Sequence, residues 1–125
     1  MAKSVSILGS TGSIGENTLR VIRALSDQLE VKYLTAGSNW EALAGQAESF
    51  HPAAVCIADE NGAEKLKSAL AGTGIEVLSG RGGVLEIAGR DDVDICFNAL
   101  VGSTGMEPTI RALDAGVDVA LSNKE

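Results

Sequence analysis

With 125 residues, 45% of them hydrophobic and 22% charged, the chain has the size of one domain and enough apolar side chains to bury a core, which excludes intrinsic disorder. A net charge of −7 argues against a nucleic-acid backbone as partner, because proteins that bind one present a basic face. One Trp, one Tyr and two Phe leave the core to Val, Ile, Leu and Ala, the usual filling of a buried parallel sheet.

Ser4-Val5-Ser6-Ile7-Leu8 predicts a buried strand almost at the N-terminus, and Leu19, Ile22 and Leu25 recur at helical spacing from Ile14 onward. Between them lies Gly9-Ser10-Thr11-Gly12-Ser13-Ile14-Gly15. A glycine-rich turn from strand to helix suits a phosphate: the backbone can approach the anion, and the unpaired N–H groups of the first helical turn point at it. The spacing is G-x-x-G-x-x-G rather than G-x-G-x-x-G, so the strand–turn–helix setting carries the argument for a dinucleotide. The alternative is a tight turn without a ligand.

Glu30 to Ala36 alternates polar and apolar residues and predicts a second strand, followed by Gly37-Ser38-Asn39. A helix fits Trp40 to Phe50, with Leu43 and Ala47 four apart, and stops before Pro52. Ala53 to Ala58 is a third strand; Asp59 or Asn61 caps a helix carrying Ala63, Leu66 and Leu70, which Gly72 ends. Ile75 to Leu78 is a short fourth strand, the glycine-rich Gly80 to Arg90 reads as a helix, and Val93 to Ala99 is a fifth strand. Pro108 suits the first turn of a helix whose apolar stripe is Met106, Ile110 and Leu113; Gly116 ends it before a sixth strand, Val117 to Leu121.

Cys56 and Cys96 lie inside apolar strand-like runs and read as small buried hydrophobes of a reducing compartment, not as a disulfide or metal pair. No run approaches the ~18 apolar residues of a membrane span. The N-terminus lacks a signal-peptide pattern, so a cytoplasmic protein without membrane partner is expected.

Strands alternating with helices at this rhythm predict an α/β domain over 1–125: a Rossmann-like doubly wound parallel sheet of about six strands, in the order 3-2-1-4-5-6, with helices on both faces. Ligands of such sheets bind beyond the carboxyl ends of the strands, which here are followed by 9–15, 37–39, 99–105 and 122–125. The second strand ends in Ala36-Gly37-Ser38-Asn39, with no carboxylate until Glu41. A carboxylate there would hold the ribose of NAD and repel the extra phosphate of NADP, so its absence favours NADP. Ser38 and Asn39 either donate to that phosphate or merely cap the next helix, roles that can coexist. Trp40 either flanks an adenine or packs against the neighbouring turn. His51 reads as a surface loop residue.

Four segments carry a family resemblance: Leu8 to Gly15, Ala36-Gly37-Ser38-Asn39, Val101-Gly102 with Gly105, and Leu121-Ser122-Asn123-Lys124-Glu125. In this order they closely resemble, from end to end, the N-terminal domain of the 1-deoxy-D-xylulose 5-phosphate reductoisomerases. The last stretch is similar to the family's Leu-Ala-Asn-Lys-Glu, with Ser122 in place of Ala. The resemblance implies an enzyme of isoprenoid biosynthesis that rearranges this sugar phosphate and reduces the product with NADPH to 2-C-methyl-D-erythritol 4-phosphate. A Mg²⁺ or Mn²⁺ ion acts there as Lewis acid.

Carried over by position, Thr11, Gly12, Ser13 and Ile14 would hold the pyrophosphate and neighbouring ribose, and Gly37, Ser38 and Asn39 the 2′-phosphate. Asn123 and Glu125 would contact the nicotinamide half, and Lys124 the substrate. Family members often carry Lys or Arg where this chain has Ser38, which weakens the expected discrimination against NAD. The family's metal-binding carboxylates, substrate-phosphate site and lid lie in later domains, so the chain reads as a fragment that binds nucleotide without turnover. It is expected to be a monomer, whereas whole enzymes resemble homodimers. Semialdehyde and homoserine dehydrogenases also place a glycine turn after an N-terminal strand and use NADP, but do not account for Asn123-Lys124-Glu125. A non-catalytic sensor of the NADP redox state is the other alternative.

Overall fold

The computed structural model describes residues 2–100 and 102–121. Six strands form one parallel sheet: β1 (Lys3–Leu8), β2 (Leu29–Ala36), β3 (Ala54–Ile57), β4 (Glu76–Ser79), β5 (Ile95–Asn98) and β6 (Asp118–Leu121). Five α-helices connect them: α1 (Ser13–Ala24), α2 (Trp40–Phe50), α3 (Ala63–Ala69), α4 (Gly80–Ala88) and α5 (Met106–Asp114). Strand residues are apolar on both faces, so each face needs a cover. Val5, Ile7, Leu34, Val55 and Ile57 pack with Leu19, Ile22, Leu43, Ala47 and Leu66 of α1 to α3. On the opposite face Leu8, Tyr33, Cys56 and Cys96 pack with Val84, Ile87 and Ala112 of α4 and α5. The α/β architecture with helices on both faces is the one expected.

The strand order is not. It is β4-β3-β2-β1-β5-β6, where 3-2-1-4-5-6 was expected. β4 continues outward beside β3, and only α4 then crosses to the other face to bring the chain back to the free side of β1. Glycines make that crossing possible. A Cβ at Gly83 would lie 2.8 Å from Cys56 Sγ and 3.1 Å from Leu78 Cβ, so only glycine lets α4 settle this close to the sheet. Gly80, with φ of +83°, turns the chain out of β4, and its carbonyl accepts a 3.6 Å hydrogen bond from the Cys56 thiol. Burial pushes that thiol up to about 12, which keeps it protonated and inert; Cys96 is likewise free, buried and raised by burial.

Two further expectations change. The register of β1 against β2 slips between Val5 and Ser6, so Val31 and Leu34 share one face, and the simple alternation over 30–36 is broken by a bulge at Lys32. The stripe Met106, Ile110 and Leu113 does not face the core: these side chains are 67%, 51% and 58% exposed, while Pro108 and Ala112 are the buried residues of α5. An amphipathic period identifies the helix but not which side meets the sheet, and here the small residues allow the closer packing. Leu25 falls at the end of α1 as its C-cap and is partly exposed.

Candidate functional site at the carboxyl edge of the sheet

β1 has β2 on one side and β5 on the other, and the chain leaves β1 and enters β5 from opposite faces. The carboxyl ends of these neighbours therefore open a crevice at the reversal point of the topology. β2, β1 and β5 stand side by side along it, so the chain leaving each of them starts at this edge. Thr11 and the N-cap Gly12 lead into α1, which Ser13 and Ile14 open; Gly37, Ser38 and the N-cap Asn39 lead into α2. Both groups lie on this edge. Asn123, Lys124 and Glu125 lie outside the described residues, as do Val101 and Ser122.

The first of these turns is tied to β2, to Ala99 and to α1. Gly9 N and Ser10 N donate to Thr35 O at 3.0 and 2.8 Å, fixing the turn to the end of β2. Gly9 has φ of +83°, and a Cβ on it would press on the Ala99 carbonyl at 3.3 Å. A Cβ on Gly15 would lie 2.2 Å from Gly9 O, so α1 folds back directly over the turn. Gly9 and Gly15 are therefore required by the fold itself.

Gly12 and Gly37 are different. Gly12 has an ordinary φ of −77°, and its nearest obstacle to a Cβ is 3.8 Å away; around Gly37 there is nothing within 4 Å. Gly45 is equally open but sits inside α2, away from the edge. What distinguishes Gly12 is its place beneath uncapped amides. The first helical bond of α1 runs from Glu16 N to Gly12 O, and Gly12 has no side chain with which to cap the amides that precede Glu16. Open space, a bare backbone and a positive helix end make a donor set that fits a phosphate group.

At α2 the capping role of Asn39 is realised: its Oδ1 accepts from Ala42 N at 3.1 Å. That bond leaves the two donors of its side-chain amide uncommitted to the cap. Trp40 packs on Gly62, whose Cβ would meet the Trp40 side chain at 3.2 Å, in agreement with the neighbouring-turn reading. His51 is exposed and ends α2 with φ of 52°, away from the carboxyl edge.

Sequence reasoning missed two residues. Asn98, 3% exposed at the end of β5, donates to Gly105 O at 2.8 Å and to Thr109 Oγ1 at 2.7 Å, and accepts from Leu100 N at 3.0 Å. It ties Leu100 and Gly105 to Thr109 of α5; a polar residue closing the apolar run Ile95-Cys96-Phe97 was its signal. Gln46 of α2 meets Ser10 through two hydrogen bonds, and nothing local in the sequence announces a contact between residues 36 apart.

An electrostatic cluster lies elsewhere, toward the amino ends of β3 and β5. Tyr33 donates to both oxygens of Asp92 at 2.7 and 2.9 Å, Lys32 pairs with Asp92 at 3.1 Å, and Arg90 lies 5.0 Å over the Tyr33 ring. Burial pushes the Asp92 carboxyl up, but the Tyr33 hydroxyl and the Lys32 ammonium outweigh it and hold the carboxyl below its usual range. Burial, with Asp92 adding to it, raises the Tyr33 hydroxyl. This cluster staples β2 to the segment before β5. A cavity of about 660 Å³ runs between α1 and α2 rather than along the edge. No helix among the described residues is long and apolar enough to cross a membrane.

The family profile for 1-deoxy-D-xylulose 5-phosphate reductoisomerase matches residues 5–125. The chain belongs to this family. A curated reductoisomerase from Chloroherpeton thalassium is 49% identical over 123 residues, covering 98% of this chain and 32% of the relative. One from Rhizobium johnstonii is 46% identical over 125 residues, covering 98% and 31%. Among solved structures, the Zymomonas mobilis reductoisomerase in complex with NADPH is similar with a TM-score of 0.92 and 36% identity, covering 98% of this chain and 32% of that one. A reductoisomerase in complex with NADPH, fosmidomycin and magnesium gives a TM-score of 0.91 at 36% identity, covering 97% and 30%. The chain thus spans about a third of the length of the reductoisomerases it matches. These matches fall on the reductoisomerases, not on the semialdehyde or homoserine dehydrogenases that share the glycine turn.

Proposed function

We propose that residues 1–125 form the NADPH-binding domain of a 1-deoxy-D-xylulose 5-phosphate reductoisomerase. The observation that carries this is the uncapped start of α1, set over the open Gly12 at the reversal point of the sheet, in a chain whose relative of known structure is complexed with NADPH. Thr11, Gly12, Ser13 and Ile14 would hold the pyrophosphate on backbone amides and hydroxyls. Gly37, Ser38 and Asn39 would take the 2′-phosphate, with the positive end of α2 behind them. Asn123 and Glu125 would touch the nicotinamide half and Lys124 the sugar-phosphate substrate, roles that rest on the family motif.

When bound, NADPH supplies the hydride that reduces the rearranged aldehyde to 2-C-methyl-D-erythritol 4-phosphate. The chain's own contribution is to grip the two phosphate groups and so aim the nicotinamide end along the crevice. A divalent Mg²⁺ or Mn²⁺, as in the magnesium complex of a relative, would take its ligands from beyond these 125 residues. By this reading the chain binds coenzyme as a cytoplasmic monomer and does not turn over substrate alone, while the whole enzyme acts as a homodimer.

Calorimetric titration with NADPH and NADH in parallel tests the proposal. NADPH is expected to bind at least about tenfold more tightly, which corresponds to ~1.4 kcal/mol from the 2′-phosphate. Equal affinities would remove the role of residues 37–39; binding of neither coenzyme would remove the domain's function altogether. Steady oxidation of NADPH by the isolated chain with substrate and Mn²⁺ would overturn the expected lack of turnover.

A further inference from the structure

Gln46 sits within α2, the helix whose start carries Ser38 and Asn39, yet its side chain reaches the other phosphate-binding turn. Gln46 Nε2 donates to Ser10 O at 2.9 Å while Ser10 Oγ donates to Gln46 Oε1 at 2.6 Å. The pair is reciprocal, so each side chain fixes the other's orientation, and Ser10 is fully buried. The remaining fastenings of the turn run to β2, to Ala99 and to α1. Gln46 is the side chain on α2 that reaches it by hydrogen bond among the described residues.

We infer that Gln46 is a positioning residue that sets the spacing between the pyrophosphate turn and the 2′-phosphate turn, and thereby the preference for NADPH over NADH. The inference rests on the dinucleotide reading above. A coenzyme with a 2′-phosphate engages both turns at once, so its second contact acts at an effective concentration set by how rigidly the turns are spaced. A coenzyme without that phosphate relies on the first turn and gains little from the spacing. Loosening α2 against the turn therefore weakens NADPH more than NADH, whereas a loss of packing alone weakens both by one factor.

The test is calorimetry of the 125-residue chain and its variants with both coenzymes, beside thermal melts. Gln46→Leu is expected to weaken NADPH about tenfold and NADH no more than about twofold. Gln46→Glu keeps an acceptor for Ser10 Oγ but loses the donor to Ser10 O, and should fall between parent and Gln46→Leu. Ser10→Ala removes the other half of the pair, and adding it to Gln46→Leu should cost nothing further. If Gln46→Leu does not fold, Gln46→Glu and Ser10→Ala carry the comparison. An unchanged NADPH-to-NADH ratio, or equal losses that follow the melting temperature, overturns the inference and leaves the dinucleotide reading standing. A parent chain that binds neither coenzyme overturns both.

Discussion

Gly12 and Gly15 are three residues apart in one motif and identical in the sequence, yet the structure gives them different work. Gly15 is demanded by the fold, because a methyl there would strike Gly9 O at 2.2 Å; Gly12 faces open space. Gly15→Ala is expected to lower stability by about 2–3 kcal/mol, since backbone rather than a flexible side chain must yield. Gly12→Ala should cost ~1 kcal/mol or less, the difference between Gly and Ala at an N-cap. Its effect belongs to the ligand: NADPH should bind about tenfold more weakly, because the methyl occupies the approach to the amides. Urea unfolding and coenzyme titration of both variants separate the roles; a Gly12→Ala chain that binds as the parent does would refute the phosphate assignment. At this scale the motif residues were legible because they are contiguous. Gln46 and Asn98 were not, since their partners are chosen by the fold and no local spacing encodes them.

At the scale of elements, the sequence pattern located the six strands and the five α-helices, and it failed where two faces of one element compete. The stripe Met106, Ile110 and Leu113 has the spacing of a core face, but α5 meets the sheet through Pro108 and Ala112. In β2 the bulge at Lys32 turns that side chain toward Asp92, and the pairing with Tyr33 and Asp92 then joins β2 to the entry of β5. This staple makes a pH prediction. The Asp92 carboxyl is held below its usual range in the folded chain, so its contribution is present above the ordinary carboxylate value and is lost as pH falls through the lowered one. Asp92→Asn should therefore melt below the parent at pH 6. The deficit is about 1 kcal/mol or less, because the side chain is half exposed and screened, and it should shrink as pH falls through the carboxylate range. A deficit that does not change with pH would mean that shape rather than charge matters at this position.

For the whole molecule, alternation of strands and helices made the α/β class legible and pointed to the carboxyl edge as the candidate site, but did not give the strand order. Alternation says that a crossover occurs; it does not say which face the helix takes, and the reversal at α4 depends on how closely Gly83 lets a helix approach Cys56. The resulting order gives the strands unequal standing. β1 is paired on both sides, whereas β4 and β6 are edges. Amide exchange should therefore be slowest in β1 and faster in β4 and β6, which open locally without global unfolding. Comparable protection in β6 and β1 would contradict this ranking.

The central place of the first strand also bears on how the protein is made. β1 is translated before the other five strands of its sheet, yet its second neighbour, β5, is complete only at residue 98. The carbonyl of Ala99, against which Gly9 is pressed, comes later still. During synthesis, the nascent chain must carry its glycine turn half-supported until five of the six strands have been made. The turn after β1 is thus finished only once its later neighbours in the sheet have been made.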